Sequence, residues 1–513
     1  MDYYYIGEIR IFAADFAPAG WLACAGQILP IERFAALHSL IGNAYGGDGK
    51  TTFALPDLRS RIPLGQSDRN PVGTKGGFET ITLKAENLPP HRHVPACSNT
   101  DNSNSIDGTN GFWSGSTQHG TRYGQAPGAT KMSTGSILPE GGSEPHENRM
   151  PMLALTYAIA VDGPFPSRGP GGYGLSFPAE IRMFGFPIEI QGYVPCDGRS
   201  YPVNSEDQLF RLIGATFGKE DGRYKLPDLR DRVLIGNGAA YPDFSPGGEE
   251  SHKLTLDEMP RHRHKAVVSS GGSDSPTPED HFWPADAGYV TQNNSFMSDQ
   301  ALEATGKEVA HDNMSPYLAI NYTICTDGMF TDGSFPPIEE YLGTVRAFAA
   351  KVIPQYWLPC DGRELPIASN TALYSLLGTK YGGNGTTTFA LPDLRGRAVI
   401  QYWPFDKFEL TTYKIGEKAG TDKVTLKLDQ MPSHTHAPLA SKKATTQRPE
   451  GQVWANEDSR PPINRFAATS GTAHAMHPSA LGEAGADQPH NNMMPYLGIE
   501  FMICCNGIFP SRG

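Results

Sequence analysis

The stretch TTFALPDLRSRIPLG, residues 51–65, decides the fold because it occurs three times. It returns as GRYKLPDLRDRVLIG at residues 222–236 and as TTFALPDLRGRAVIQ at residues 387–401. The shared segment L-P-D-L-R-x-R is too long to recur by chance, and similarity at a fixed interval is the signature of a repeat architecture. The sequence therefore predicts three copies of one unit.

The same elements surround this segment in each copy. A strand-like run comes first, YIGEIRIFAA, AEIRMFGF or YLGTVRAFAA, and a short amphipathic helix follows. In the first copy Phe34, Leu37, Leu40 and Ile41 fall at helical spacing. Glycine favours the left-handed conformation that ends a helix, so we expect the three helices to end at Gly42, Gly214 and Gly378.

A pair of histidines follows the L-P-D-L-R segment in every copy. The pairs lie in LPPHRH (residues 88–93), MPRHRH (259–264) and MPSHTH (431–436), at intervals of 171 and 172 residues. Divergent inserts rich in Ser, Gly, Asn, Thr and Pro come next, at residues 94–145, 265–310 and 437–489. The shared sequence then returns with a histidine and an asparagine. We predict repeats over residues 1–170, 171–337 and 338–513, with joints near Pro170 and Pro337.

Composition limits the class of protein. Glycine (57) and proline (43) are frequent among the 513 residues, which favours turn-rich β structure over long helices. The net charge of −12 argues against nucleic-acid binding, because phosphate contacts need clustered Lys and Arg. No apolar run approaches the ~18 residues of a membrane span, and the N-terminus lacks the pattern of a signal peptide. We expect no membrane insertion and no conventional secretion signal.

Seven cysteines are an odd number, so a fully paired disulfide framework is excluded. Five of them fall at repeat-equivalent positions, and the first repeat has Ala160 where the others have Cys325 and Cys504. An alanine in that position indicates a small buried side chain. The other three are Cys24, Cys196 and Cys360.

The combined motifs, G-x-(I/V)-R-x-F, the C-x-G turn, Y-G-G-x-G-x-T-T-F-A-L-P-D-L-R, H-x-H and N-x-x-P-Y-L, resemble the phage tail collar domain family, which includes microcystin-dependent proteins. The middle copy departs most, with TFGKEDGRYKLPDLR in place of the glycine-rich pattern. The resemblance implies a tail-fibre-like protein, and family members are usually trimers of three chains. Three copies in one chain imply a threefold pseudo-symmetric single-chain trimer. Its fold would be α+β and β-rich, with one short helix and one loop-rich β insert per unit.

In the short tail fibre to which the family is related, histidine pairs from three chains surround one metal ion. Residues i and i+2 of an extended segment face the same side, so each H-x-H presents two imidazoles together. We predict one transition-metal ion, with Zn, Fe and Ni as candidates, held by six histidines. The predicted ligands are His91, His93, His262, His264, His434 and His436. The alternative is that these histidines are hydrogen-bonded at an interface between units or lie on the surface.

Two further sets of polar residues recur. His146, His311 and His490 begin the return from each insert, and we expect them to support the metal ligands in a second shell or to cap the chain. Direct ligation of a metal by these three histidines is the alternative. The aspartate and arginine of each L-P-D-L-R segment are expected to form ion pairs that fix a turn. These pairs are Asp57 and Arg59, Asp228 and Arg230, and Asp393 and Arg395.

Aromatic residues in the inserts motivate a binding hypothesis. Phe112, Trp113, Trp283 and Trp454 lie among small polar residues, a mixture suited to carbohydrate or another polar surface. The recurring tryptophans equally suit a common packing anchor. A receptor- or glycan-binding tip of a phage tail or contractile injection particle is therefore the alternative function.

The favoured function is a structural subunit of an extracellular fibre or appendage, made in the cytoplasm and associated with a particle. A pseudo-trimer with similar ends can stack head to tail on copies of itself or on related collar proteins, with residues 1–5, MDYYY, pairing with the next molecule. Cell-surface glycans or receptors are further expected partners. H-x-H also occurs in metal-dependent hydrolases, but such sites need an open coordination position and occur once per chain. We therefore predict no catalytic residues and no enzyme.

Overall fold

The computed structural model describes residues 4–98, 112–114, 123–124, 130–131, 137–166, 177–187, 190–204, 207–238, 244–269, 283–284, 289–290, 295–296, 301–326, 328, 340–350, 353–403, 410–436, 438–441, 453–455, 473–475 and 480–511. The described residues are β-rich with few helices, 37% strand and 8% helix, as the composition predicted. The predicted joints at Pro170 and Pro337, and most of each insert, lie outside the described residues.

The strands outside the inserts recur in the same order in each repeat, except that the second repeat has the additional strand Lys219–Glu220. In the first repeat they are Glu8–Phe12, Trp21–Ala23, Ile28–Pro30, Thr52–Ala54, Ile62–Gly65, Lys75–Gly76, Thr80–Ile81, Ala96–Ser98, Phe112–Ser114, Tyr123–Gly124, Thr130–Lys131, His146–Glu147 and Met152–Ala160. In the second they are Glu180–Phe184, Tyr193–Pro195, Ser200–Pro202, Lys219–Glu220, Arg223–Lys225, Val233–Gly236, Pro246–Gly247, Ser251–His252, Val267–Ser269, Trp283–Pro284, Tyr289–Val290, Ser295–Phe296, His311–Asp312 and Tyr317–Cys325. In the third they are Thr344–Phe348, Trp357–Pro359, Glu364–Pro366, Thr388–Ala390, Ala398–Gln401, Lys418–Ala419, Lys423–Val424, Leu439–Ser441, Val453–Ala455, Ala473–Ala475, His490–Asn491 and Tyr496–Cys504.

The α-helices of the described residues are short, one per repeat. They span Ala35–Ile41, Gln208–Ile213 and Thr371–Leu377, and short 3₁₀ turns span Ala85–Asn87, Ile367–Ser369 and Leu428–Gln430. Each α-helix ends at the predicted glycine, Gly42, Gly214 or Gly378, where φ is 56°, 56° and 58°. Leu37, Leu40 and Ile41 are buried as predicted, whereas Phe34 precedes the helix at its N-cap.

The first strands of the three repeats, here called the arginine strands, lie against one another. They are Glu8–Phe12, Glu180–Phe184 and Thr344–Phe348, and each pairs with both of the others. Ile9 pairs with Met183, and Ile11 pairs with Val345. The three repeats therefore meet at a common centre, and one hydrophobic core cluster contains residues from all of them.

Strands are also shared between repeats at the end of each unit. Each nine-residue strand pairs antiparallel with the arginine strand of its own repeat and parallel with a four-residue strand from another repeat. The parallel pairs are Met152–Ala160 with Ala398–Gln401, Tyr317–Cys325 with Ile62–Gly65, and Tyr496–Cys504 with Val233–Gly236. The first repeat thus receives a strand from the third, the second from the first, and the third from the second.

The repeat-equivalent cysteines are buried, as predicted, and the described cysteines form no disulfide. Ala160 is fully buried at the position of Cys325 and Cys504. Tyr4, one of the residues predicted to pair with the next molecule, is buried within this chain, and its ring centroid lies 4.7 Å from that of Trp21. Residues 1–3 lie outside the described part of the chain. No helix within that part is long and apolar enough to cross a membrane.

Candidate metal centre

Each histidine pair follows an apolar residue that packs against its counterparts. Leu88, Met259 and Met431 are fully buried and form one cluster. Each is followed directly by proline, which fixes the local φ angle. This packing draws the three histidine pairs together.

Backbone from another repeat fixes the first histidine of each pair. The amide of His91 donates to the Thr305 carbonyl at 3.0 Å, that of His262 to Ala484 at 2.9 Å, and that of His434 to Glu140 at 3.0 Å. The accepting residues lie at the returning ends of the inserts. Each pair is therefore held by a repeat other than its own.

The Nδ1 atoms of all six histidines lie against backbone carbonyls. His91, His262 and His434 donate to the prolines two residues earlier, Pro89, Pro260 and Pro432, at 2.9–3.0 Å. His93, His264 and His436 donate to Gly482, Leu138 and Glu303 at 2.8, 3.0 and 3.0 Å. A carbonyl only accepts, so the proton of each neutral ring is on Nδ1 and the Nε2 lone pair is free for another partner. Metal-ligating histidines are typically oriented in this way.

The Nε2 atoms point at one another in the buried centre. His91 Nε2 lies 3.0 Å from His434 Nε2, His264 Nε2 lies 3.2 Å from His434 Nε2, and His93 Nε2 lies 3.2 Å from His262 Nε2. Burial lowers the pKa of His93 and of His264 to about 2. Neutral rings whose lone pairs converge have no donor among themselves, so a bound cation would satisfy them.

The donor set fits a transition metal. Five of the histidines, His91, His93, His264, His434 and His436, have ligand atoms within 4.8 Å of one another and are buried, so they can hold one ion. His262 adjoins this group, because its ring centroid lies 4.7 Å from that of His93 and 5.0 Å from that of His434. An octahedron with metal–nitrogen bonds of about 2.1 Å has edges of about 3.0 Å, close to the shortest separations between Nε2 atoms.

Three glycines with positive φ allow the insert ends to approach the histidine turns. A Cβ on Gly306 would lie 2.4 Å from the Pro89 carbonyl oxygen. A Cβ on Gly485 would lie 2.4 Å from the Pro260 carbonyl oxygen, and a Cβ on Gly141 would lie 2.6 Å from the Pro432 carbonyl oxygen. Only glycine fits such a close approach of two backbones. The divergence of the inserts hid these positions from sequence comparison.

His146, His311 and His490 form a second cluster of their own. Their ligand atoms lie within 4.8 Å of one another, and all three are buried. The ring centroids are 5.3–5.4 Å apart. The sequence placed them around the six-histidine centre, whereas the structure groups them with each other.

The surface-binding hypothesis is wrong for the three tryptophans. Trp113, Trp283 and Trp454 are each only 3% exposed, and their rings contact one another with centroids 4.8–5.3 Å apart. They form the packing anchor that was the alternative. Phe112 lies in the strand Phe112–Ser114, and its side chain lies outside the described residues.

The L-P-D-L-R ion pairs are present. The nearest oxygen–nitrogen distances are 2.8 Å for Asp57 and Arg59, 2.7 Å for Asp228 and Arg230, and 2.8 Å for Asp393 and Arg395. Each carboxylate also accepts from the backbone amide of its arginine. They fix the turn, as expected.

Sequence inspection missed a closed ring of six buried charges, here called the Arg–Glu ring. It consists of Glu8, Arg10, Glu340, Arg346, Glu180 and Arg182, each bonded to the next, with Arg182 closing on Glu8. The third repeat has Thr344 where the others have Glu8 and Glu180, and Glu340 supplies the carboxylate instead. Thr344 Oγ donates to it at 3.2 Å. The G-E-I-R and A-E-I-R motifs were the available signal.

Taken together, the fold and site define a repeat protein whose three units share strands and converge on buried histidines. The family model of the Phage Tail Collar Domain matches residues 7–63, 179–234 and 343–399. Three segments of the chain, one in each repeat, therefore match this domain, as the motifs indicated. No curated protein and no solved structure matched the chain significantly.

Proposed function

We propose that this protein is a structural, phage-tail-fibre-like subunit in which one chain forms a pseudo-threefold trimer locked by a transition metal. One observation carries the proposal: every histidine pair is held by the backbone of both other repeats. His91 bonds to the second repeat at Thr305, and His93 bonds to the third at Gly482. The same relation holds cyclically for the other two pairs.

The metal would be held by Nε2 of His91, His93, His262, His264, His434 and His436. When bound, it supplies positive charge to converging lone pairs and links the three repeats. Six protein donors leave no open position for substrate, which favours a structural role. The carbonyls that accept from Nδ1 orient the rings before the ion arrives, and the buried surroundings exclude water.

The collar domains support a role in a particle-associated fibre or appendage. Head-to-tail assembly with copies of this chain, and adhesion through the divergent inserts, belong to the same proposal. The receptor-binding alternative loses the three tryptophans that motivated it, because they pack on one another.

Metal removal tests the proposal. A ligand that binds only the folded state at 1,000 times its Kd stabilises that state by about 4.1 kcal/mol. We expect chelation to lower the unfolding temperature of the wild type by several degrees. The H434Q/H436Q variant should lose most of this response, whereas the control H38Q, outside the cluster, should keep it. A wild-type protein that copurifies without metal and does not respond to chelator would contradict the metal-locked core.

A further inference from the structure

The His146, His311 and His490 cluster lies outside the six-histidine centre and invites a separate explanation. His146 is fully buried, and its Nδ1 donates to the Glu147 carbonyl at 3.0 Å. His490 repeats this contact with Asn491, also at 3.0 Å. Both rings therefore present an unprotonated Nε2 to the cluster. Within the described residues, the Nε2 atoms of all three histidines lack a hydrogen-bond partner.

Three buried asparagines give an independent indication of a missing partner. Asn148, Asn313 and Asn492 follow the three histidines by two residues and are fully buried. Each amide nitrogen donates to two backbone carbonyls at 3.0–3.2 Å, which fixes the orientation of the amide. The Oδ1 atoms of all three have no donor in the described part of the chain. A buried acceptor without a donor is destabilising, so three equivalent ones indicate that a bound ion or ordered water is their partner.

The middle repeat adds negative charge beside the cluster. His252 stacks on His490 with ring centroids 5.1 Å apart, and its nitrogens lie 2.7 Å from Glu249 and 3.2 Å from Glu258. The first and third repeats have Ile81 and Val424 at this position, each paired with its own cluster histidine. The two carboxylates therefore lie one imidazole away from the cluster and are held there by that ring.

We propose that His146, His311 and His490 form a second divalent transition-metal site, through Nε2 of His146 and His490 and one ring nitrogen of His311. Oxygen donors complete the shell, either the amide oxygens of Asn148, Asn313 and Asn492 or waters bonded to them. Three imidazoles with oxygen donors suit Co²⁺, Ni²⁺ or Zn²⁺. With fewer protein nitrogens than the six-histidine centre, this site releases its metal more readily to a chelator. It uses separate residues and does not depend on the proposed function.

Cobalt titration of the metal-free full chain, followed by native mass spectrometry, tests this site. The wild type and the control H38Q should bind two Co²⁺ per chain. H490Q should retain one, with the Kd of the lost ion raised at least 100-fold. H434Q/H436Q should also retain one, bound by the second cluster. If H490Q binds as many Co²⁺ ions as the wild type, the second site is refuted, whether or not the six-histidine centre holds metal.

A second measurement needs no variant and so does not depend on the folding of H490Q. Anomalous diffraction at the cobalt edge from wild-type crystals saturated with Co²⁺ should show a peak bounded by His146, His311 and His490. A peak at the six-histidine centre alone would overturn the inference. The three histidines would then be a packed cluster whose acceptors bond to water.

Discussion

The Arg–Glu ring gives the sharpest stability prediction. Replacing Arg346 with methionine removes the cation between Glu180 and Glu340, although Glu180 keeps Arg182 at 2.8 Å and Glu340 keeps Arg10 at 2.7 Å. The buried ring would then hold three carboxylates and two guanidinium groups. Burial raises the pKa of Glu180, but Arg182 and Arg346 outweigh it and lower that pKa to about 2. Loss of Arg346 therefore leaves a buried charge undercompensated.

The expected fall in unfolding temperature depends on the free energy lost and on the unfolding entropy, which scales with the length of the chain. Removing one partner of a buried ion pair destabilises a protein by about 3–5 kcal/mol. Arg346 also lies over the ring of Trp357 at 5.5 Å, a contact that methionine reproduces only in part. At about 2.1 cal/mol/K per residue, cooperative unfolding of 513 residues has an entropy of about 1.1 kcal/mol/K. The unfolding temperature of R346M should fall by about 3–5 °C.

The double variant E340Q/R346M restores the charge balance of the ring. Its loss in free energy of unfolding should therefore be smaller than the sum of the losses in E340Q and R346M, with a coupling energy of about 2 kcal/mol or more. The matched control is R363M, which removes an exposed arginine 2.6 Å from Asp361 and should lower the unfolding temperature by less than about 1 °C. Scanning calorimetry in excess chelator separates the ring from the metal. Additive losses, or equal losses in R346M and R363M, would refute the argument.

Three further predictions concern the centre and the core. G306A should weaken metal binding at the six-histidine centre at least tenfold in a competition titration, because the new Cβ would collide with the Pro89 carbonyl. The control G42A should leave the affinity unchanged, because a Cβ there meets nothing within 4 Å. Burial lowers the folded-state pKa of His434 and of His436 to about 4. The metal-free protein should therefore keep its full stability above about pH 6.5 and lose about 1.4 kcal/mol per pH unit for each such histidine as the pH falls from about 6.5 to about 4. An unfolding temperature that does not change from pH 7 to pH 5 would contradict this. Burial raises the pKa of Cys504 and of Cys505 to about 12, so thiol reagents should label these cysteines slowly in the native chain and fast in the unfolded chain. Rapid labelling of either cysteine in the native protein would contradict this.

Repetition made much of the scaffold predictable. Because L-P-D-L-R-x-R and the helix-ending glycines recur with the same neighbours, the three short helices and the strands before them could be derived from one copy and checked against the others. The six candidate ligands followed from H-x-H in the same way. Gly42 and its counterparts end their helices because glycine adopts positive φ without strain.

The pairing between repeats could not be predicted, because it depends on contacts far apart in the sequence. Nothing near His93 indicates that its Nδ1 donates to Gly482, which lies in another insert. In the third repeat the carboxylate comes from Glu340, four residues before Thr344, the position that matches Glu8 and Glu180. Alignment of the arginine strands therefore does not reveal it. The tryptophans were ambiguous since small polar neighbours suit both a binding surface and a turn around a buried anchor.

Native mass spectrometry of chelator-washed protein tests the central claim most directly, because it reports chain number and metal number together. If one chain forms the pseudo-trimer, the smallest metal-loaded species is one 55.6 kDa chain that retains one tightly held transition metal, and any larger assembly keeps this ratio. A smallest metal-loaded species of three chains would contradict the single-chain pseudo-trimer. Single chains without metal would contradict the six-histidine centre itself.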